Sequence, residues 1–217
     1  MNNKRIQTIA NLIGNDKSVI DIGCDHGYLA LALRKKGNDQ LIICCDEKIG
    51  PLNNAKSNLY RYDDIEYYCT DGVRNIDEQA QIAVLAGMGH NTVIHILSSS
   101  ESYFRKCEKI IIQVNQIVEA MRRYLSENDY KITNEVLVKD YKYYEILVVE
   151  NGKQHLTERE IEYGPIFLKE KNELFREFYQ HKLDKLDSII SSLDKSHPDR
   201  IVLEKKREDI FNMLSID

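Results

Sequence analysis

The stretch "DIGCDHGYL", Asp21 to Leu29, decides how this chain is read. It follows the apolar run "SVI", so a short strand ends in Asp21, turns through Gly23 and Gly27, and enters the helical "YLALALRKK". Such a turn places backbone amides at the carboxyl end of a first strand, where open α/β sheets bind ligands. A dinucleotide loop, G-x-G-x-x-G, keeps bare backbone against a pyrophosphate. Here Asp25 and His26 stand just before Gly27, and a carboxylate facing a pyrophosphate is repelled. The rival reading is that Gly23 and Gly27 only permit a tight strand-to-helix turn.

Outward from this loop, apolar runs recur between helical stretches: 18–22, 41–46, 65–71, 81–87 and 109–115. They are continuous rather than alternating, which predicts strands covered on both faces and joined by crossover helices. A helix is expected at 4–13, and the runs 135–140 and 143–150 read as an antiparallel hairpin closing the sheet edge. The fold class is therefore α/β, with a Rossmann-like, mostly parallel sheet. Asp46 ends the second strand 25 residues after Asp21, the position of an acid that hydrogen-bonds ribose hydroxyls. An acidic loop beside it suits a ligand with a ribose and a positive amino or sulfonium group. S-adenosylmethionine has both, and its carboxylate is expected on the loop amides.

The chain has 217 residues, 42% hydrophobic and 30% charged, enough for one domain with an appendage. It contains no apolar run of membrane-spanning length, and "MNNKRIQTIANLIG" lacks the apolar core of a signal peptide, so a cytoplasmic protein without membrane contact is expected. The five cysteines form no C-x-x-C pair and read as buried, reduced thiols. No His, Cys and carboxylate group has metal-ligand spacing, so no metal is expected, and His26 reads as a hydrogen-bonding loop residue or a catalyst.

Residues 1–157 are expected to form the catalytic domain and 158–217 an antiparallel helical, coiled-coil domain. Leu168, Phe175, Phe178, Leu186, Ile190 and Leu193 make one stripe, "SHPDR" at 196–200 a turn, and Val202, Ile210 and Leu214 face back from a second helix at 199–214. Because the strands lie upstream, a chain cut near Gln154 is expected to stay folded.

The chain resembles one family closely, the bacterial tRNA (adenine(22)-N1)-methyltransferases. The resemblance rests on "DIGCDHGYL" 21–29, "CDEKIGPLNNA" 45–55, "TDG" 70–72, "AGMGH" 86–90, "QVN" 113–115, "LVKDYKYYEI" 137–146 and "EIEYGPIFLKE" 160–170, in order along nearly the whole chain. The chain departs from the family at Cys24 (usually Thr), His90 (Gly), Val114 (Pro) and Tyr124 (Trp). The resemblance implies methyl transfer from S-adenosylmethionine to N1 of an adenine in tRNA, by a Rossmann-like domain followed by a helical one. It implies a cofactor site of Asp21, Gly23, Gly27, Asp46, Asp71, Gly72, Ala86 and Gly87. Catalytic groups are then Asp25, His26, Gln113 and Asn115, reading the adenine edge or accepting the proton it sheds.

Adenine N1 carries an in-plane lone pair, so alignment with the methyl group supplies most of the acceleration. The tRNA partner must meet local cations, because the net charge is −5. Candidates are Lys4-Arg5, Arg34-Lys35-Lys36, Arg122-Arg123 and Lys205-Lys206-Arg207. A monomer is expected. One alternative is another S-adenosylmethionine-dependent nucleic-acid methyltransferase, although an exocyclic-amine enzyme would carry Asn/Asp-Pro-Pro-aromatic where "AGMG" stands. The other is a non-catalytic interaction protein with a vestigial core.

Overall fold

The computed structural model describes residues 3–215. Asn3 caps α1 (Lys4–Ile13) by accepting from the Ile6 amide. There follow β1 (Val19–Ile22), α2 (Tyr28–Lys35), β2 (Ile42–Asp46), α3 (Ile49–Asn58), β3 (Ile65–Cys69), β4 (Ile82–Met88), α4 (His90–Ser99), α5 (Glu101–Phe104), β5 (Lys109–Val114) and α6 (Val118–Glu127). The hairpin is β6 (Tyr130–Lys139) and β7 (Tyr143–Asn151), followed by α7 (Glu158–Tyr163), α8 (Pro165–Glu170), α9 (Glu173–Ser192) and α10 (Arg200–Ser215).

The strands form one sheet in the order β3-β2-β1-β4-β5-β7-β6, with β1 to β5 parallel. The antiparallel hairpin closes the sheet edge, as the sequence suggests. β7 inserts between β5 and β6, antiparallel to both, so β6 is the edge strand and runs parallel to β5. The continuous apolar runs follow from coverage on both faces. Ile20, Ile22, Ile43, Cys45, Ala83, Leu85, Ile110 and Ile112 pack toward α4, α5 and α6. Their alternating neighbours Val19, Ile42, Cys44, Ile82, Val84 and Ile111 pack toward α1, α2 and α3. Connections leave β1 toward β2 and β4 toward β5, so the order reverses between β1 and β4, where such sheets open a crevice. Cys24, Cys44, Cys45 and Cys107 are buried, while Cys69 at the end of β3 is exposed. No helix among the described residues is long and apolar enough to cross a membrane.

The chain divides into two compact units, one through Leu168 and one from Lys169. Residues 158–168, placed in the tail from sequence, group with the first. The cause is a buried ionic cluster. Arg122 on α6 donates to Glu135 of β6 at 2.8 Å, to Glu145 of β7 at 2.5 Å, and to the carbonyls of Ile161 and Glu162. Glu135 in turn accepts from the amides of Ile166 and Phe167. Burial pushes the Arg122 guanidinium down, but the Glu145 and Glu135 carboxylates outweigh it and hold it above its ordinary value.

In the second unit, α9 and α10 run antiparallel: Arg207 pairs with Asp187, and Arg200 caps the carbonyls of Ile190 and Leu193. The buried stripe is Phe175, Tyr179, Leu183, Leu186 and Ile190, answered by Ile210 and Met213. Val202, expected to face inward, is 68% exposed, while Ser196 and Pro198 lie in the turn before α10.

Candidate active site

The carboxyl ends of β1, β2, β3 and β4 surround a cleft of about 430 Å³. Its lining includes Asp21, Gly23, Asp25, His26, Asp46, Asp71, Gly72, Ala86 and Gly87, so the topology gathers most of the residues singled out from sequence. Gly27, Gln113 and Asn115 are not part of that lining.

The first loop is held by its own backbone. The amides of Gly23 and Cys24 both donate to the Cys45 carbonyl, and that of Gly27 donates to Cys24. The Asp25 amide donates to Asp46 Oδ2 at 3.3 Å, and the Lys48 amide to Oδ1 at 3.0 Å. The amides of Gly23, Cys24, Asp25 and Gly27 are therefore committed within the protein, so a ligand carboxylate would have to meet other groups of the cleft. Each Asp46 oxygen keeps a further lone pair. Gly27 has φ +67°, and a Cβ there would lie 2.7 Å from Leu59 Cδ1, so its role is to let α2 sit close on α3.

Asp21 is 6% exposed and faces the cleft. Burial, reinforced by the nearby Asp46 charge and opposed by Arg5, pushes its carboxyl up to about 7. At the mouth, His26 stacks on Tyr28 with ring centroids 5.3 Å apart, and its Nε2 lies 3.6 Å from Asp25 Oδ1.

Arg5 is a cleft-lining side chain that the sequence did not place there. It was offered to RNA, yet it points inward and lines the cleft. Its Nη1 donates to Gln113 Oε1 at 2.5 Å, and its guanidinium lies 5.1 Å from the Tyr144 ring. The helical period carried the signal, because Arg5 stands one turn before the buried Ile9. Gly87 makes room for it. It is the bulged residue between Ala86 and Met88 of β4, with φ +83°, and a Cβ there would lie 3.2 Å from Arg5 Nη1.

This arrangement commits the Gln113 side chain to the protein around it. Its side chain is fully buried, with Oε1 taken by Arg5 and Nε2 donating to the Val114 carbonyl at 2.7 Å. Asn115 is exposed at the end of β5 and donates from Nδ2 to the Gly87 carbonyl at 2.6 Å, which leaves its Oδ1 for a ligand.

Most cations suggested for RNA are also committed elsewhere. Arg34 holds the carbonyls of Asn38 and Gln40 and pairs with Asp64, and Lys36 holds the Ala10 carbonyl and Asn11. Arg122 is the buried clasp described above, Arg123 takes Glu158, and Arg207 takes Asp187.

Against known proteins, residues 19–212 match the family described as tRNA (adenine(22)-N(1))-methyltransferase. The chain belongs to that family. It is 33% identical to MG248 of Mycoplasma genitalium, over 89% of this chain and 99% of that one. It is 29% identical to the tRNA (adenine(22)-N(1))-methyltransferase of Bacillus subtilis, over 89% of this chain and 86% of that one. Among solved structures, Streptococcus pneumoniae Sp1610 in complex with S-adenosyl-L-methionine superposes with a TM-score of 0.87 at 26% identity, covering 99% of this chain and 100% of that one. The fold is thus a Rossmann-like methyltransferase fold with a mixed seven-stranded sheet.

In this methyltransferase the departures noted from sequence lie in different surroundings. Cys24 is buried in the first loop and lines the cleft, Tyr124 packs partly buried against the core, and His90 opens α4 outside the cleft lining. Where Val114 replaces proline, the next amide, that of Asn115, is fixed by the Met88 carbonyl at 2.9 Å.

Proposed function

We propose that the cleft holds S-adenosylmethionine and that the chain methylates N1 of adenine 22 in tRNA, the activity for which its family is named. The observation that carries this reading is the charge layout of the cleft. The carboxylates of Asp21 and Asp46 lie on neighbouring strand ends, with the single guanidinium of Arg5 beside Asp21. That is the complement of an amino-acid zwitterion joined to a ribose.

In this reading Asp46 accepts both ribose hydroxyls with the lone pairs that the Asp25 and Lys48 amides leave. The β3 end lies next to it, so Asp71 and Gly72 meet the adenine of the cofactor. On the other side, Asp21 faces the amino group and sulfonium, and Arg5, steadied by Gln113 and Tyr144, takes the carboxylate. Gly23, Ala86 and Gly87 supply close backbone walls, and Gly27 serves the site through packing. The bound cofactor supplies an electrophilic methyl on a sulfonium and leaves as a neutral sulfide.

Asn115, tied to the Gly87 carbonyl, directs Oδ1 toward the N6 amine of the target base and aligns N1 with the methyl. As N1 takes the methyl, the base becomes cationic, and the exposed Asp25 carboxylate or His26 at the mouth removes the N6 proton. The domain division is also part of the proposal: a catalytic unit reaching through Leu168, then a coiled-coil tail of α9 and α10 that engages the body of the tRNA.

Incubating the purified protein with total tRNA and a labelled methyl donor, then mapping the product nucleoside, tests this. N1-methyladenosine at position 22 is expected; label on another atom, or none, refutes the reading.

A further inference from the structure

We propose that the turn joining β6 to β7, Asp140 to Lys142, is a docking site for unpaired nucleotides of the tRNA next to the target adenine, with Tyr141 stacking on a base and Lys142 and Lys4 meeting phosphates. The proposal rests on the tRNA reading above and adds to it where, outside the cleft, the substrate is held.

Topology puts the turn in the right place. β6 is parallel to β1 through β5, so its carboxyl end opens on the same edge of the sheet as the cleft. Two contacts make the surface continuous. The Lys4 amide donates to Asp140 Oδ2 at 3.0 Å, and the adjacent Arg5 reaches from the Tyr144 ring to the cleft wall.

The chemistry of the turn fits an unpaired nucleotide. Tyr141 is 83% exposed, although an aromatic ring gains nothing from water. It is nonetheless oriented: its edge meets the ring of Tyr144 at 83° with centroids 5.6 Å apart. The Lys142 ammonium lies 5.0 Å from the Tyr144 ring and 6.0 Å from that of Tyr141, so a cation stands beside an aromatic face open to solvent. Asp140, the acid of the turn, is already engaged by the Lys4 amide. An exposed ring with an ammonium beside it is how proteins grip single-stranded nucleic acid: stacking on bases, cations on phosphates. The reaction requires such a segment. N1 lies on the pairing edge of adenine, so the arm must open before the base can enter the cleft, and the displaced neighbours need a partner. With Arg122 buried, Arg34 and Lys36 bound to carbonyls, and Arg123 and Arg207 in surface ion pairs, the turn is a basic surface adjoining the cleft that remains for this task.

The test compares Tyr141→Ala, Tyr141→Phe and Lys142→Gln with wild type. It measures tRNA binding at several salt concentrations, methylation, and S-adenosylmethionine binding by calorimetry. Tyr141→Ala is expected to weaken tRNA binding and kcat/KM about tenfold, and Tyr141→Phe to restore both, because stacking needs the ring and not the hydroxyl. Lys142→Gln is expected to lower the slope of log affinity against log salt by about one phosphate contact. Cofactor affinity stays at the wild-type value in all three. Unchanged tRNA binding by Tyr141→Ala overturns the proposal, as does an equal loss of cofactor binding, which would mark a structural role. A wild-type protein that binds tRNA without methylating adenine N1 would instead count against the proposed activity, while the binding comparison still decides the role of the turn.

Discussion

Replacing Asp21 by Asn should uncouple cofactor binding from pH. Burial and the neighbouring Asp46 charge raise the Asp21 carboxyl from 3.8 to about 7, with Arg5 opposing. A rise of about three pH units corresponds to about 4 kcal/mol, since one unit is worth about 1.4 kcal/mol. The sign follows from the direction of the shift. The folded state holds the Asp21 proton more tightly than the unfolded chain, so its stabilising contribution is full below about pH 4 and is lost as pH rises through about 7. The ligand-free protein should therefore lose stability between about pH 4 and pH 7 in a way Asp21→Asn does not. A cationic ligand reverses the preference, because it binds the ionised carboxylate. S-adenosylmethionine affinity should fall by up to about tenfold per pH unit below 7 in the wild type. Asp21→Asn should show a flatter profile and, at pH 8, an affinity lower by about 1.5–3 kcal/mol for the lost charged contact. Thermal unfolding from pH 5 to 9, with and without cofactor, reads the first effect, and calorimetry in buffers of different ionisation enthalpy reads the proton released. The cofactor's own amine titrates nearby, but equally for both proteins, so the difference isolates Asp21. Parallel Tm profiles and equal proton release in the two proteins would refute the reasoning.

The remaining predictions concern the frame of the site. Asp46→Asn keeps one acceptor for the loop amides and should weaken S-adenosylmethionine by about 1.5–3 kcal/mol in calorimetry, whereas wild-type affinity would place the ribose elsewhere. Gly27→Ala drives a Cβ into Leu59 in a left-handed backbone, so urea unfolding should show a loss of about 1–3 kcal/mol, and no loss would mean that α2 and α3 part freely. A chain ending at Leu168 should unfold cooperatively and bind cofactor. One ending at Gln154, which strips Arg122 and Glu135 of their backbone partners, should be less stable by about 3–5 kcal/mol, and equal stability of the two would make the clasp irrelevant.

What was legible in the sequence is what short range determines. The parallel strands could be placed because each carries apolar residues on both faces, and Asp21 and Asp46 because each ends such a strand. The insertion of β7 between β5 and β6 could not be read, because a hairpin pairs equally well by either of its strands and only packing against β5 decides. The commitment of Gln113, of the loop amides and of the Arg122 clasp depends on partners distant in the chain. Arg122 finds a carboxylate 13 residues on and carbonyls about 40 residues on, a distance no local pattern encodes. The helical stretch that opens the expected tail at 158 is broken into α7, α8 and α9. Gly164 has φ +91° against the Glu135 carboxylate, and Pro165 then starts a new helix.

Arg5 and Arg122 looked alike in the sequence, each half of a basic pair and each a candidate for phosphate. Both point inward, but to opposite effect. Arg122 is enclosed by two carboxylates and two carbonyls, so its charge is satisfied before any ligand arrives, and it can only hold structure. Arg5 has one neutral amide and an aromatic ring as direct partners, with a buried carboxyl nearby that is itself drawn toward protonation. Its positive charge therefore remains incompletely matched at the cleft wall, as does the negative charge of Asp21 whenever that group is ionised. A ligand bearing both signs completes each in one step. Arg5→Gln should accordingly weaken S-adenosylmethionine more than it weakens an analogue whose carboxylate has been removed, and equal losses for the two ligands would show that Arg5 only shapes the wall.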